Sequence, residues 1–149
     1  MAIKSFKAEN AFLSNFYPSP ILLNDHEVYA TVEHAFQAAK AVRADDRERI
    51  RTAITPGIAK RRGRTVALRS DWESIKLDVM LNLLRIKFAS NTSLAARLLD
   101  TSDEYLEEGN DHGDRFWGSV AGQGQNHLGR LLMQVREELR ALDKKHNLV

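Results

Sequence analysis

Residues 71–89, DWESIKLDVMLNLLRIKFA, form the longest helical pattern in this chain of 149 residues. Ser70 or Asp71 can cap its start, and apolar side chains recur at the three- and four-residue spacing of an α-helix. They fall on two arcs, and a helix that is apolar on two sides is expected at the centre of a fold. The arcs are Trp72, Ile75, Val79, Leu83 and Ile86 on one side, and Leu77, Leu81, Leu84 and Phe88 on the other.

Shorter patterns flank this helix. Other helices are predicted from the cap Thr31 to about Ala44, from a cap at Asp45 or Asp46, from Thr55 to a stop at Gly63, and over residues 93–99 and 126–144. Short strands are predicted at residues 3–6, 21–23 and 27–30, and residues 105–117 are expected to be extended or irregular. These patterns predict a mainly helical α+β fold with a few short strands. With 43% hydrophobic residues and no linker, we expect a single domain over residues 1–149.

Composition excludes several classes of protein. The chain has no cysteine, which excludes disulfides, thiolate nucleophiles and cysteine-based metal sites. Its five histidines show no metal-binding spacing, and no G-x-S-x-G motif is present, so we expect neither a metal nor a serine hydrolase. The first ten residues lack the apolar stretch of a signal peptide, and proline interrupts the longest uncharged run. We therefore expect a cytoplasmic protein without a membrane span.

Charge is unevenly distributed along the chain. Residues 40–69 contain ten Lys or Arg against three acids, whereas residues 100–114 contain seven acids and no base. The electric field of such separated charges can steer a phosphorylated ligand to one side of the molecule, although two solvated surfaces would have the same composition. Within the basic part, residues 59–64, AKRRGR, place four cations in five positions. A phosphate is the natural partner of such a cluster, and a solvated helix end is the plain alternative.

Two carboxylates are candidates for chemistry. Glu33 lies in the first turn of its predicted helix, with Gln37 and Lys40 one and two turns further along the same line. It is either a helix-dipole acid or, at the rim of an apolar face, a partly desolvated general acid or base. Asp114 stands three residues before Trp117 in HGDRFWG, where a shared pocket competes with a turn Asp beside a core Trp.

Residues 122–130, GQGQNHLGR, resemble a phosphate-binding loop because glycines let backbone N–H groups approach a ligand at a helix start. They are not the dinucleotide fingerprint, since His127 takes the place of its third glycine. The alternative is a plain glycine turn with Asn126 as N-cap. Gly129 in the first helical turn is unfavourable relative to Ala and predicts that something packs close to it.

Six ordered motifs together resemble the NADAR superfamily, the YbiA-like N-glycosidases. They are FLSNFYPSP, TVEHAFQAAKA, GIAKRRGR, DWESIKLDVM with LRIKF, DRFWG and GQGQNHLGRLLMQVR, and they extend over about residues 6–139. The resemblance implies hydrolysis of the bond between a ribose and a nitrogenous group. The implied substrates are phosphoribosylamino pyrimidine intermediates of riboflavin synthesis or ADP-ribosylated guanine.

The resemblance also implies which residues act. Glu33 and Asp114 match its catalytic positions, Trp72 and Trp117 are expected to stack the base, and the matching pocket formers are Lys60, Gly63, Asn126 and Gly129. We add to the substrate-binding set Arg64 from the basic segment, Gly118 beside Trp117, and Asn15 and Phe16. The last two belong to the uncharged loop FLSNFYPSP, a pocket wall or else a hydrophobic plug. His34 is followed by Ala35 where an aromatic residue is common in the family, which bears on substrate choice.

The chemistry is consistent with these residue types. Breaking a C–N glycosidic bond develops positive charge on the ribose, so a nearby carboxylate stabilises the transition state and can activate water. No cofactor is expected. The competing hypothesis is a non-catalytic module that binds ADP-ribose or a nucleotide, and the presence of both carboxylates favours the enzyme. If the modified base lies in a polynucleotide, the basic region is expected to bind nucleic acid.

Overall fold

The computed structural model describes residues 1–147, and the chain divides into two compact units. Unit A is Asn15–Lys87, and unit B is Met1–Ser14 together with the chain from Phe88 onward. Within the described residues the strands are β1 (Ala2–Ile3), β2 (Ile21–Leu23), β3 (Glu27–Tyr29) and β4 (Tyr105–Leu106). The helices are α1 (Val32–Ala39), α2 (Ala44–Arg51), α3 (Pro56–Gly63), α4 (Trp72–Ala89), α5 (Thr92–Leu99) and α6 (His127–Asn147). The predicted mainly helical α+β class is confirmed, whereas one domain over residues 1–149 stays a prediction.

Unit A begins with a hairpin and continues into three helices that pack against one another. Strands β2 and β3 are antiparallel, with Leu22 opposite Val28, and the predicted turn residues Asn24 and Asp25 both adopt positive φ. Asn and Asp tolerate this left-handed conformation better than other residues with a side chain. Helices α1, α2 and α3 then contact each other pairwise.

Helix α1 starts as predicted and ends earlier. Thr31 Oγ1 accepts the N–H of His34 at 3.1 Å, which makes Thr31 the N-cap. The prediction that the helix runs to about Ala44 is wrong, because Ala41 pairs with Leu68 and the N–H of Val42 is donated to the Ala67 carbonyl. Those backbone groups are therefore not available to extend the helix.

Helices α2 and α3 begin or end at slightly different residues from those predicted. Asp45 and Asp46 lie in the first turn of α2 rather than capping it, since the helix begins at Ala44 and the cap position, Arg43, makes no side-chain bond. Thr55 does cap α3, accepting the N–H of Ile58 at 3.1 Å. Gly63 is the last residue of α3 rather than the stop beyond it.

Helix α4 spans the predicted residues, but its buried stripe is not the predicted pair of arcs. Apart from Trp72, the buried side chains are Met80, Leu83, Leu84, Lys87 and Phe88, which follow one line at three- and four-residue spacing. The arcs omitted Met80 and Lys87, and Leu77 is 38% exposed. A pattern built on hydrophobic residues could not place a lysine inside.

Unit B is built around a short parallel pair of strands and two helices. Ile3 of β1 lies opposite Leu106 of β4. The predicted strand over residues 3–6 is wrong beyond Ile3, and a 3-10 helix, Ala8–Leu13, follows. Helices α5 and α6 contact each other and bury Leu94, Leu98, Leu128, Leu132 and Val135. No helix in residues 1–147 is long and apolar enough to cross a membrane.

Candidate active site

In unit A, Glu33 is a buried carboxylate in the first turn of α1. Its backbone N–H is donated to the Asn15 carbonyl at 3.1 Å, and the residue is only 7% exposed. The N-terminus of a helix favours a negative charge because its N–H dipoles point outward. The sequence placed Glu33 on the edge of an apolar face, and the fold buries it.

Gln37 and Lys40 follow Glu33 along α1, as their spacing predicts. Gln37 Nε2 donates to Glu33 Oε1 at 2.8 Å. Across from them is Gly63 of α3, where a Cβ would lie 2.9 Å from Gln37 Cδ and 3.1 Å from Lys40 Cε. Gly63 therefore makes room for two side chains of α1.

The charges of three cations, Lys40, Lys60 and Arg64, interact at this cluster. Burial lowers the pKa of Lys40, the charge of Glu33 opposes this, and the charges of Arg64 and Lys60 add to it. Arg49, Arg51 and Arg69 are each paired with an acid. Within residues 1–147, Lys60 and Arg64 make no side-chain ion pair or hydrogen bond, so their charges are available to a ligand.

His34 is buried beside Glu33 and serves the fold. Its Nε2 lies 2.9 Å from the Ala53 carbonyl and its Nδ1 lies 2.8 Å from Thr31 Oγ1. A carbonyl only accepts, so Nε2 carries a proton and donates it to Ala53. Both ring nitrogens are thus engaged in linking the start of α1 to the end of α2.

The uncharged loop has two kinds of residue. Asn15 is buried, its Nδ2 lies 3.5 Å from Met80 Sδ, and its Oδ1 has no hydrogen-bond partner among the described residues. Phe16 is 41% exposed, consistent with either a pocket wall or a surface ring. Phe12 is buried in unit B with the Arg97 guanidinium 4.2 Å from its ring centre, so the plug alternative holds for this ring.

Lys87 is a residue that the sequence analysis did not single out. Its side chain is fully buried, its Nζ lies 5.8 Å from the centre of the Tyr17 ring, and burial lowers its pKa to about 7. The available signal was its position in LRIKF, in line with Met80 and Leu84 of α4. Spacing puts Lys87 on the same line of the helix as these two residues, and the packing of α4 buries that line.

Trp72 is buried rather than presented to solvent. It is 6% exposed, and its ring centre lies 5.0 Å from that of Phe36 in α1. This placement favours packing over the predicted stacking on a base.

In unit B, Asp114 organises the DRFWG segment. Its Oδ1 accepts the N–H of Phe116 at 3.1 Å and that of Trp117 at 2.9 Å, while Asn110 Oδ1 accepts the N–H of Asp114. This is the turn Asp of the plain alternative. Its Oδ2 makes no hydrogen bond within residues 1–147, so half of the carboxylate is still available for chemistry.

Trp117 and Gly118 continue this segment. Trp117 is half-buried, at right angles to Phe116 with ring centres 4.8 Å apart, and 6.4 Å from the His127 ring. Gly118 is buried, and its carbonyl accepts the N–H of Asn126 at 3.0 Å. The DRFWG segment and the start of α6 are thereby held together.

Asn126 is not the N-cap that the plain alternative assumed. It has φ of 51° and directs its side chain away from α6: Oδ1 accepts the N–H of Glu108 at 2.9 Å, and Nδ2 donates to the Leu106 carbonyl at 2.9 Å. A Cβ at Gly129 would overlap that carbonyl and the Asn126 amide. The predicted close packing at Gly129 is therefore present, and its partner is protein.

Comparisons with known proteins agree on one family. A family model described as NADAR domain matches residues 3–140. N-glycosidase YbiA of Escherichia coli is 42% identical over 134 residues, which cover 88% of this chain and 82% of that one. The NMR structure of Escherichia coli YbiA matches with a TM-score of 0.84 at 39% identity, covering 97% of this chain and 86% of that one. The chain belongs to the NADAR family.

Other NADAR relatives have names of two kinds. N-glycosidase Npun_R5314 of Nostoc punctiforme is 43% identical over 135 residues, covering 87% of this chain and 85% of that one. Riboflavin biosynthesis protein PYRR, chloroplastic, of Zea mays is 40% identical over 143 residues, covering 85% of this chain and 23% of that longer one.

The predicted NADAR site residues fall into two groups. Unit A contains Asn15, Phe16, Glu33, Lys60, Gly63, Arg64 and Trp72, and unit B contains Asp114, Trp117, Gly118, Asn126 and Gly129. Glu33, Gly63, Lys60 and Arg64 are gathered around Gln37 and Lys40. Among the described residues no group of three or more His, Asp or Glu side chains is arranged to hold a metal ion.

Proposed function

We propose that this chain is an N-glycosidase that hydrolyses the bond between a ribose and a nitrogenous base or amine, with Glu33 as its principal catalytic carboxylate. The observation that carries the proposal is the Glu33 side chain, which is buried at the start of α1 and held by Gln37. The N-glycosidase names of relatives more than 40% identical support the enzyme class.

The reaction requires that the C–N bond electrons leave with the nitrogen, which takes up a proton, while water attacks the sugar carbon. Positive charge on the ribose peaks before the water bond forms. A carboxylate with little access to solvent stabilises that charge more than one in water does. Glu33 supplies this charge and can take the proton of the attacking water. Asp114 of unit B stays a predicted catalytic carboxylate.

The proposed substrate is a small phosphorylated, nucleoside-like molecule. Lys60 and Arg64 are the proposed phosphate contacts because the structure leaves their charges unpaired within residues 1–147. The riboflavin name of the maize relative favours a phosphoribosylamino pyrimidine over ADP-ribosylated guanine. A base carried by a nucleic acid and a cytoplasmic location are further predictions.

The test is Glu33→Gln, which keeps the shape of the side chain and removes its charge. We expect an unchanged fold and substrate binding with kcat lower by about 100-fold or more. The matched control is Glu73→Gln, which removes an exposed acid from the first turn of α4. If Glu33 is only a helix-dipole acid, both variants lose a fraction of a kcal/mol and keep their turnover.

The substrate class is tested by incubating the protein with both substrate types and identifying the released sugar by mass spectrometry. A ribose 5-phosphate product supports the pyrimidine intermediate, and ADP-ribose supports the modified guanine. Tight calorimetric binding of ADP-ribose without turnover of either substrate would instead support the non-catalytic binding module.

A further inference from the structure

Gln37 lies between the Glu33 carboxylate and the backbone of α3. Its Nε2 donates to Glu33 Oε1 at 2.8 Å, and the residue is 6% exposed. Because a carboxylate accepts hydrogen bonds, the amide must present its NH₂ group to Glu33. The other end of the amide, Oε1, faces Gly63 and has no hydrogen-bond partner among the described residues.

Glu33 sets the orientation of the Gln37 amide, because no other described residue makes a hydrogen bond to the amide's oxygen. A buried carbonyl oxygen without a donor loses its hydration and gains nothing in return. A methionine of similar length would fill the same space without that loss. The Gln37 amide therefore contributes through Glu33, since its N–H restrains the carboxylate and favours the ionised form.

Gly63 controls where the Gln37 amide can lie. A Cβ at position 63 would overlap Gln37 Oε1 and stand 2.9 Å from Cδ, so the amide would have to move away. Because it is the end of a flexible side chain, it can move without disturbing the helices. The same-helix residue Gly57 differs, since the nearest atom to its added Cβ is Thr55 Oγ1 at 3.9 Å.

We propose that Gln37 is a positioning residue for the Glu33 carboxylate, and that Gly63 serves this site by making room for Gln37 rather than by contacting substrate. The inference rests on the proposed function in one respect, namely that Glu33 is the catalytic carboxylate. Charged groups near the pair include Lys40, just after α1, and through it Lys60 of α3 and Arg64, just after α3. The charge of Lys40 favours the ionised carboxylate, and Gln37 does so through a directed hydrogen bond.

The first experiment follows the titration of the Glu33 carboxyl carbon by NMR, which does not depend on activity. We expect Gln37→Met and Gly63→Ala each to raise the midpoint by roughly one pH unit, as for one lost hydrogen bond. Gly57→Ala, the matched control, leaves the midpoint unchanged. In a Gln37→Ala background Gly63→Ala has a much smaller further effect, because the new Cβ then meets only Lys40 Cε, at 3.1 Å.

The second experiment measures turnover of a phosphoribosylamino pyrimidine and of an ADP-ribosylated guanosine. For whichever is hydrolysed, kcat falls about tenfold in Gln37→Met and in Gly63→Ala with KM unchanged, and the acid limb of the kcat profile moves with the NMR midpoint. The unfolding temperature of each variant is measured alongside to show that it is folded, because Gln37→Met both removes the bond to Glu33 and relieves the carbonyl without a donor.

Two results would overturn the inference: equal Glu33 midpoints in all variants, or the same Gly63→Ala shift with and without the Gln37 side chain. Failure of the proposed function looks different. In that case the wild-type protein hydrolyses neither probe, while the NMR coupling between positions 33, 37 and 63 is still present.

Discussion

Lys87 is the residue whose environment contrasts most with its chemistry. An amine without exposed surface lies on the buried stripe of α4, beside the Tyr17 ring. Removing a charged amine from water disfavours its protonated form, which is why burial lowers its pKa to about 7. Groups with strongly shifted pKa values often lie at functional sites, and Lys87 belongs to the same unit as Glu33. Lys87 is therefore a further target for mutagenesis.

The stability of the fold is expected to depend on pH through Lys87. Between about pH 7 and pH 10.5 the unfolded chain keeps a proton on this amine that the folded chain has lost. The free energy of unfolding therefore rises with pH across this window, by up to about 1.4 kcal/mol per pH unit. Urea titrations of wild type and Lys87→Met, run from pH 6 to pH 10, measure the effect as the difference between the two proteins.

The matched control for this prediction is Lys144→Met, on an exposed position of α6. Its stability difference from wild type is expected to stay constant over the same range. A constant difference for Lys87→Met as well would show that the buried amine keeps its proton in the folded state.

At the scale of elements, α3 has small buried residues on the side that packs against other helices and cations on the side that faces solvent. Ala59 and Gly63 are buried against neighbouring helices, whereas Arg61 and Arg64 are exposed and Lys60 is half-buried. Thr55 and Pro56 start this helix, and its cations lie toward its C-terminal end, where the helix dipole favours positive charge. The helix can thus hold Gln37 on one side and a phosphate on the other.

Charge reversal at the C-terminal end of α3, at Lys60 and at Arg64 just after the helix, is expected to weaken substrate binding. Lys60→Glu and Arg64→Glu each should raise KM about tenfold or more and change kcat little, as for an interaction made equally in the ground and transition states. Arg61→Glu changes net charge by the same amount and is the control for long-range steering. Steady-state kinetics at low and moderate salt separate the two effects, and equal KM values for all three variants would argue against a specific phosphate contact.

At the scale of the whole molecule, the chain combines no cysteine with no clustered metal ligands in residues 1–147. We expect turnover to survive incubation with EDTA, because the proposed reaction needs only carboxylates and water. A loss of turnover that a divalent ion restores would contradict this.

The family assignment made from ordered motifs is confirmed by the family model over residues 3–140.

Some helix caps and helix spans, which depend on residues close together in sequence, were predicted correctly. Thr31 and Thr55 cap helices because their hydroxyls satisfy backbone N–H groups a few residues away, and α4 spans its predicted residues because helical spacing is a short-range property. Motif order alone indicated the NADAR family, and with it Glu33 and Asp114 as catalytic candidates. These inferences depend only on neighbours in sequence or on their order.

Only the tertiary structure decided which groups meet. Helix α1 ends early because the backbone of residues 41 and 42 pairs with residues 67 and 68. The Asn126 side chain does not cap α6 because it makes hydrogen bonds with the backbone of Leu106 and Glu108 instead. At position 63 a side chain would overlap Gln37 of another helix, so glycine is required there. Lys87 is buried because of how α4 packs. Contacts between residues far apart in sequence leave no periodic signal, so no pattern along the chain could have predicted them.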